Sequence, residues 1–235
     1  MAQLQRIAIA PSQVQANIIT LSKEQQHYLG RVLRLGSGHR FIAMDGQGKW
    51  WLAELQGEKA HILETLTPAT ELPIAITLMV ALPKGNGFDE IVRYSTELGV
   101  SCIAPVLSDR TLLNPSPQKL ERWRRIATEA AEQSERSLVP TILSPLAFST
   151  AITTNTATQR YICQARGHHQ HLHQAIQSHT SEILIATGPE GGWTQTEIQQ
   201  AIALGFQPVS LGHRILRAVT APIVALTLIA AACEF

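Results

Sequence analysis

Residues 183–186 form a continuous apolar run that leads through Thr187 into Gly188-Pro189-Glu190-Gly191-Gly192-Trp193. Thr194 and Glu197 then have the spacing of a helix-capping pair. A buried strand thus ends in a glycine-rich turn and a capped helix. Strand carboxyl ends are where α/β sheets bind ligands, and glycine lets a ligand approach the backbone closely. The turn lacks the Gly-Lys-Ser/Thr of a phosphate loop and is not GxGxxG, so ATPase and dinucleotide readings lose their main support. By spacing alone, it is equally a simple tight turn. A second segment reads Leu211-Gly212-His213-Arg214-Ile215-Leu216-Arg217-Ala218-Val219-Thr220-Ala221. Two arginines flanking an apolar pair can meet carboxylate or phosphate. Taken alone, this segment is a surface loop with solvated arginines.

Other clusters carry less. His168, His169, His171 and His173 lie close together but have no neighbouring Cys or acid. They read as the solvated start of a helix after Gly167 rather than a metal site. Trp50 and Trp51 occupy adjacent strand positions, so one faces a core and the other is free to stack on a base. Cys102, Cys163 and Cys233 are far apart and odd in number, which argues against disulfides or a zinc ribbon and for a reducing compartment.

The elements that must position these residues fall into two parts. Residues 1–70 carry short alternating stretches at 40–44 and 50–55 around the turn Asp45-Gly46-Gln47-Gly48, the pattern of a small hairpin domain. Ser22 and Gln25 form a capping box there. Residues 67–73 read as a linker. From Ile74 the pattern becomes alternating strands and helices. Strands are expected at 74–81, 102–107, 161–164, 183–187 and 208–211. Helices are expected at 88–98, from 117 to about 137, from 194 to near Gly205, and at the C-terminal end with Thr220 as its cap. This is an α/β domain with a mostly parallel sheet and helices on both faces.

Of the 235 residues, 45% are apolar and 16% charged, ample for a packed core. The net charge of +1 neither requires nor excludes RNA, because binding follows the local field. The opening residues lack the apolar run of a signal peptide. Residues 221–233 are too few for a convincing membrane span and read as a buried helix. A cytoplasmic protein without a membrane anchor is expected.

Taken together, GPEGGW and LGHRILRAVTA resemble the RsmE family of ribosomal RNA uridine-N3 methyltransferases, within the SPOUT superfamily. Residues 96–100 (TELGV) and 130–136 (AAEQSER) are similar to central motifs of that family, and 27–34 (HYLGRVLR) to its N-terminal RNA-binding segment. The resemblance spans nearly the whole chain.

The resemblance implies a PUA-like RNA-binding barrel over 1–70 and a SPOUT methyltransferase domain over 71–235, its C-terminal part tied in a trefoil knot. It implies S-adenosyl-L-methionine as cofactor, with a homodimer acting on small-subunit (16S) ribosomal RNA or the assembled 30S subunit. The cofactor would be held by Thr187, Gly188, Glu190, Gly191 and Gly192 from one loop and by Leu211, Gly212, Ile215 and Leu216 from the other. The sulfonium already activates the methyl group, so no metal is expected. Arg217 and Arg136 are the candidates for phosphate or uracil-oxygen contacts, and Glu190 for the base or for orienting the loop. Arg31, Arg34 and Lys84 are candidates for RNA contact. One position departs from the family pattern: Val219 stands where Arg-x-Glu-Thr-Ala has its acid. That departure keeps open a non-catalytic RNA-binding assembly factor with the same fold. A knotted methyltransferase acting on transfer RNA or another base is the other enzyme reading.

Overall fold

A computed structural model describes residues 4–111, 115–154, 157–177 and 181–234. The chain divides into two units: Met1–Glu71 with Ala131–Val139, and Leu72–Ala130 with Pro140–Phe235.

In the first unit, β1 (Arg6–Ala8), β2 (Val14–Gln15), β3 (Ile18–Thr20), β4 (Arg40–Met44), β5 (Trp50–Gln56) and β6 (Lys59–Leu66) make one sheet in the order β1-β4-β5-β6-β3-β2. Only the β1–β4 pairing is parallel. The alternating stretches serve two cores rather than one wet and one dry face. Phe41, Ala43, Ala53 and Leu55 pack on one side, and Ile42, Met44 and Trp50 pack with Ala131 on the other. Trp50 is therefore buried, while Trp51 is half-buried against the first cluster. Helix α1 (Lys23–His27) starts with the expected box: Gln25 N donates to Ser22 Oγ (3.2 Å) and Ser22 N to Gln25 Oε1 (2.8 Å). It continues as a π turn over Tyr28–Val32.

The second unit contains β7 (Ala75–Ala81), α2 (Gly87–Glu97), β8 (Cys102–Leu107), α3 (Pro117–Gln133), β9 (Thr141–Ile142), β10 (Leu146–Ala147), α4 (Phe148–Thr154), β11 (Gln159–Cys163), β12 (Gln170–His171), α5 (Leu172–Ala175), β13 (Glu182–Thr187), α6 (Gln195–Ala203), β14 (Gln207–Ser210) and α7 (Thr220–Cys233). The last turn of α3 runs on into the first unit. The sheet order is β10-β8-β7-β13-β11-β14-β12, with β9 also on β8, and every pairing is parallel. Residues 183–186 of β13 are fully buried, as a strand covered on both faces requires. The order brings the carboxyl ends of β8, β7, β13, β11 and β14 into one row.

Three expectations are corrected. Helix α3 stops at Gln133 rather than near Ser137: Glu135 takes a φ of 61° and Arg136 N donates to Ala131 O (3.0 Å), a Schellman ending built without glycine. Thr220 is the first residue of α7 rather than its cap: Val219 holds the cap position, and Thr220 N and Ala221 N both donate to Arg217 O. The histidine segment does not open a helix after Gly167. Gln170 and His171 pair with β14, and the short α5 follows.

Helix α7 is buried at Pro222, Ala225, Leu226 and Ile229, but Ile223, Val224 and Leu228 stay half-buried. Among the described residues no helix is long and apolar enough to cross a membrane.

Candidate active site

The glycine-rich turn after β13 and the segment after β14 come together. With Cys163 at the end of β11, residues 164–166 after it and Arg110 after β8, they line a cavity of about 340 Å³. Pockets of about 300–1,000 Å³ are typical of small-molecule sites. Gly188, Pro189, Glu190, Gly191, Gly192 and Trp193 contribute from the first loop, and Leu211, Gly212, Arg214, Ile215 and Leu216 from the second.

The glycines in this wall serve different ends. A side chain on Gly188 would sit 3.2 Å from Trp193 Nε1, and one on Gly191 would sit 3.1 Å from Arg110 Cδ. The protein itself occupies those approaches. Gly212 (φ 117°) and Gly192 (φ 67°) instead face open space and hold backbone conformations that side chains disfavour. They supply the cradle that a Cβ would fill.

Two loops at neighbouring strand ends hold the turn. From the loop after β7, Lys84 N donates to Glu190 Oε1 (3.0 Å). From the loop after β8, the Arg110 guanidinium donates to Gly191 O. In the same loop, Asp109 N donates to Glu197 Oε1 (3.0 Å), and Asp109 Oδ2 accepts from the Thr194 hydroxyl (3.2 Å). Glu197 also caps α6, its Oε2 accepting from Thr194 N at 2.7 Å. Beneath the turn, Thr187 Oγ1 and Trp193 Nε1 are buried without a hydrogen-bond partner. Such orphans are uncommon in native proteins and mark ligand or water sites.

Arg110, Arg166 and Arg214 are among the lining residues with the acid Glu190, so the field suits a ligand's carboxylate or an RNA phosphate at the cavity. Cys163 forms part of the wall, and desolvation pushes its thiol up to about 12, keeping it neutral. Val219 packs on the start of α2: a Cβ on Gly87 would meet Val219 Cγ2 at 2.8 Å. Among the described residues no group of three His, Cys, Asp or Glu is arranged to hold a metal ion.

The other sequence candidates lie as follows. Arg217 is exposed between the lining residues Leu216 and Ala218. Lys84 has an exposed side chain in the same unit. Thr187 is fully buried at the end of β13. Arg136 belongs to the first unit, is 3% exposed, and donates through Nε (3.0 Å) and Nη2 (2.6 Å) to Glu71 Oε2. Arg31 and Arg34 are exposed in the first unit. Sequence reasoning missed Asp109, Arg110, Arg166 and the hub role of Glu197. Applying the rule of strand carboxyl ends to 102–107 and 161–164 as well as 183–187 would have flagged the first three.

Comparison with known proteins agrees with this geometry. Residues 70–230 match the family described as an RNA methyltransferase domain, and residues 21–65 the one described as an RNA methyltransferase PUA domain. A ribosomal RNA small subunit methyltransferase E of Synechocystis sp. is 49% identical over 97% of this chain and 78% of its own length. The crystal structure of a ribosomal RNA small subunit methyltransferase E from Neisseria gonorrhoeae bound to S-adenosyl methionine superposes with a TM-score of 0.88 at 32% identity, covering 97% of each chain. A putative methyltransferase from Legionella pneumophila, in complex with the same bound cofactor, gives 0.88 at 27% identity over 98% of each chain.

Proposed function

This chain belongs to the ribosomal RNA small subunit methyltransferase E family, and we propose that it methylates N3 of a uridine in small-subunit ribosomal RNA, using S-adenosylmethionine held between its two C-terminal loops. The observation that carries this reading is the cavity built by Gly188–Gly192 and Leu211–Leu216 at the sheet's carboxyl edge. The residues fit the cofactor. Gly192 and Gly212 leave open space at the wall, Leu211, Ile215 and Leu216 offer apolar contact, and Thr187 has an unpaired buried hydroxyl. When bound, the cofactor supplies a methyl group already activated on sulfur.

The chain's own work is alignment and charge. Holding the reacting atoms in line lowers the barrier without any new chemical group. Uridine N3 carries a proton that must leave before its lone pair can react, so cations near the uracil oxygens favour reaction. Arg217 takes that role, with Arg166 and Arg214 adding to the field at the cavity. Glu190, latched to Lys84 N, orients the glycine turn. Uridine N3 is hidden in paired RNA, so the target base must be single-stranded or flipped out.

Residues 1–70 serve as the RNA-binding domain and 71–235 as the catalytic domain, whose C-terminal segment forms the trefoil knot. Arg31, Arg34 and Lys84 contact RNA backbone. The half-buried Val224 and Leu228 on α7 support a homodimer that covers them. The protein works in the cytoplasm, on 16S ribosomal RNA or the assembled 30S subunit. The test is incubation with S-adenosylmethionine and small subunits lacking the mark, followed by nucleoside mass spectrometry. 3-Methyluridine is expected. Cofactor binding with a different methylated nucleoside would move the assignment to another base. An unmodified subunit would favour the assembly-factor reading that Val219 raises.

A further inference from the structure

Glu197 is 3% exposed, yet the hydrogen bonds around its carboxylate come from uncharged groups. Its two oxygens divide the work. Oε2 accepts from Thr194 N (2.7 Å) in its own helix cap, while Oε1 accepts from Asp109 N (3.0 Å), far away in sequence. A capping box needs only the first of these. The Thr194 hydroxyl oxygen lies 3.1 Å from Glu197 Oε2 and 3.2 Å from Asp109 Oδ2, so its single proton is shared between the two carboxylates and closes a second link between the same loops. Ser108 and Thr111 tie the far loop to itself, through Ser108 N to Thr111 Oγ1 (3.1 Å) and Arg110 N to Ser108 Oγ (3.2 Å). The loop after β8 is thus a preformed brace, and Arg110 extends from it to Gly191 O. Sites gain rigidity when the residues that touch the ligand are fixed by a surrounding hydrogen-bonded shell.

We infer that Glu197 is a positioning residue: with Asp109 it ties the brace after β8 to the glycine turn after β13, fixing the wall of the cofactor pocket. This rests on the reading that the pocket takes S-adenosylmethionine. Asp109 is the decisive position, because it is outside the cavity lining and its carboxylate accepts neither of the two bonds by which Thr194 and Glu197 cap α6.

The test compares wild type with Asp109→Ala, Asp109→Asn and Glu197→Gln. It reads S-adenosylmethionine affinity by calorimetry, kcat against KM, and hydrogen exchange at residues 188–192 without ligand. Glu197→Gln sets an NH₂ against one of two N–H donors and is expected to weaken cofactor binding about tenfold. Asp109→Ala is expected to weaken it about threefold, with faster exchange in the turn. Both act on KM for the cofactor more than on kcat, and Asp109→Asn, which keeps an acceptor, restores the wild-type values. A Glu197 that serves only as a cap leaves Asp109→Ala indistinguishable from wild type in affinity and exchange, and that result overturns the inference. Wild-type protein that binds no S-adenosylmethionine overturns the reading of the pocket and this inference with it.

Discussion

Gly212 meets two demands at once: a φ of 117° and open space at the cavity wall. Gly212→Val strains the backbone and fills the cradle. S-adenosylmethionine affinity measured by calorimetry should fall at least about tenfold, with the fold retained. Gly191 looks equivalent in sequence but is not. Its missing side chain makes room for Arg110, so Gly191→Val should disturb the brace before it touches the ligand. Arg217 is a different case, since its proposed contact is with the reacting base. Arg217→Ala should lower kcat by about 10²-fold while cofactor affinity stays within about twofold, measured under single-turnover conditions. Equal loss in both quantities would place Arg217 in cofactor binding instead.

At the scale of elements, the segment 67–73 reads as a linker, but one residue in it is an anchor. Glu71 accepts from Arg136 and also, through Oε1, from Ser137 N (2.8 Å) and Leu138 N (3.0 Å). It thereby fixes the stretch that follows the Schellman ending of α3. Burial pushes the Glu71 carboxyl up, but the Arg136 guanidinium and the two backbone N–H groups outweigh that and hold it below its ordinary value of 4.5. A carboxyl lowered on folding adds stability that is complete above its unfolded value and is lost as pH falls through the folded one. Glu71→Ala removes the carboxylate that accepts from the Arg136 guanidinium and from two backbone N–H groups, and should cost about 2–3 kcal/mol in urea denaturation at pH 7. The gap between variant and wild type should narrow below about pH 4.5, where wild type begins to lose the same pairing. A gap constant with pH would mean that the carboxylate charge is not what matters.

For the whole molecule, a net charge of +1 leaves RNA affinity to local clusters. Arg31 and Arg34 are exposed in the first unit, and each phosphate contact contributes about 0.7 to the salt slope on single-stranded RNA. Replacing both with alanine should weaken RNA binding and flatten the slope of log K against log salt by about 1.4. S-adenosylmethionine affinity should not change. An unaltered slope in a filter-binding titration would remove these arginines from the interface.

Local chemistry determined much of this protein. The capping boxes at Ser22 and Thr194 bind the neighbours that their spacing names, and the apolar run at 183–186 is a doubly covered strand. Periods and caps are encoded within a few residues, so they can be read in order along the chain. The two C-terminal motifs carried the family by their resemblance to known sequences. What only the tertiary structure decided is which distant residues share a wall. The brace at 108–111, the guanidinium of Arg166 and the second bond of Glu197 depend on strand order β8-β7-β13-β11-β14, which no local pattern states. The same holds for Arg136, whose donors go to Glu71 across a long sequence separation. Hydrogen bonds that close such loops depend on how the sheet is assembled, and that assembly follows from packing of the entire core.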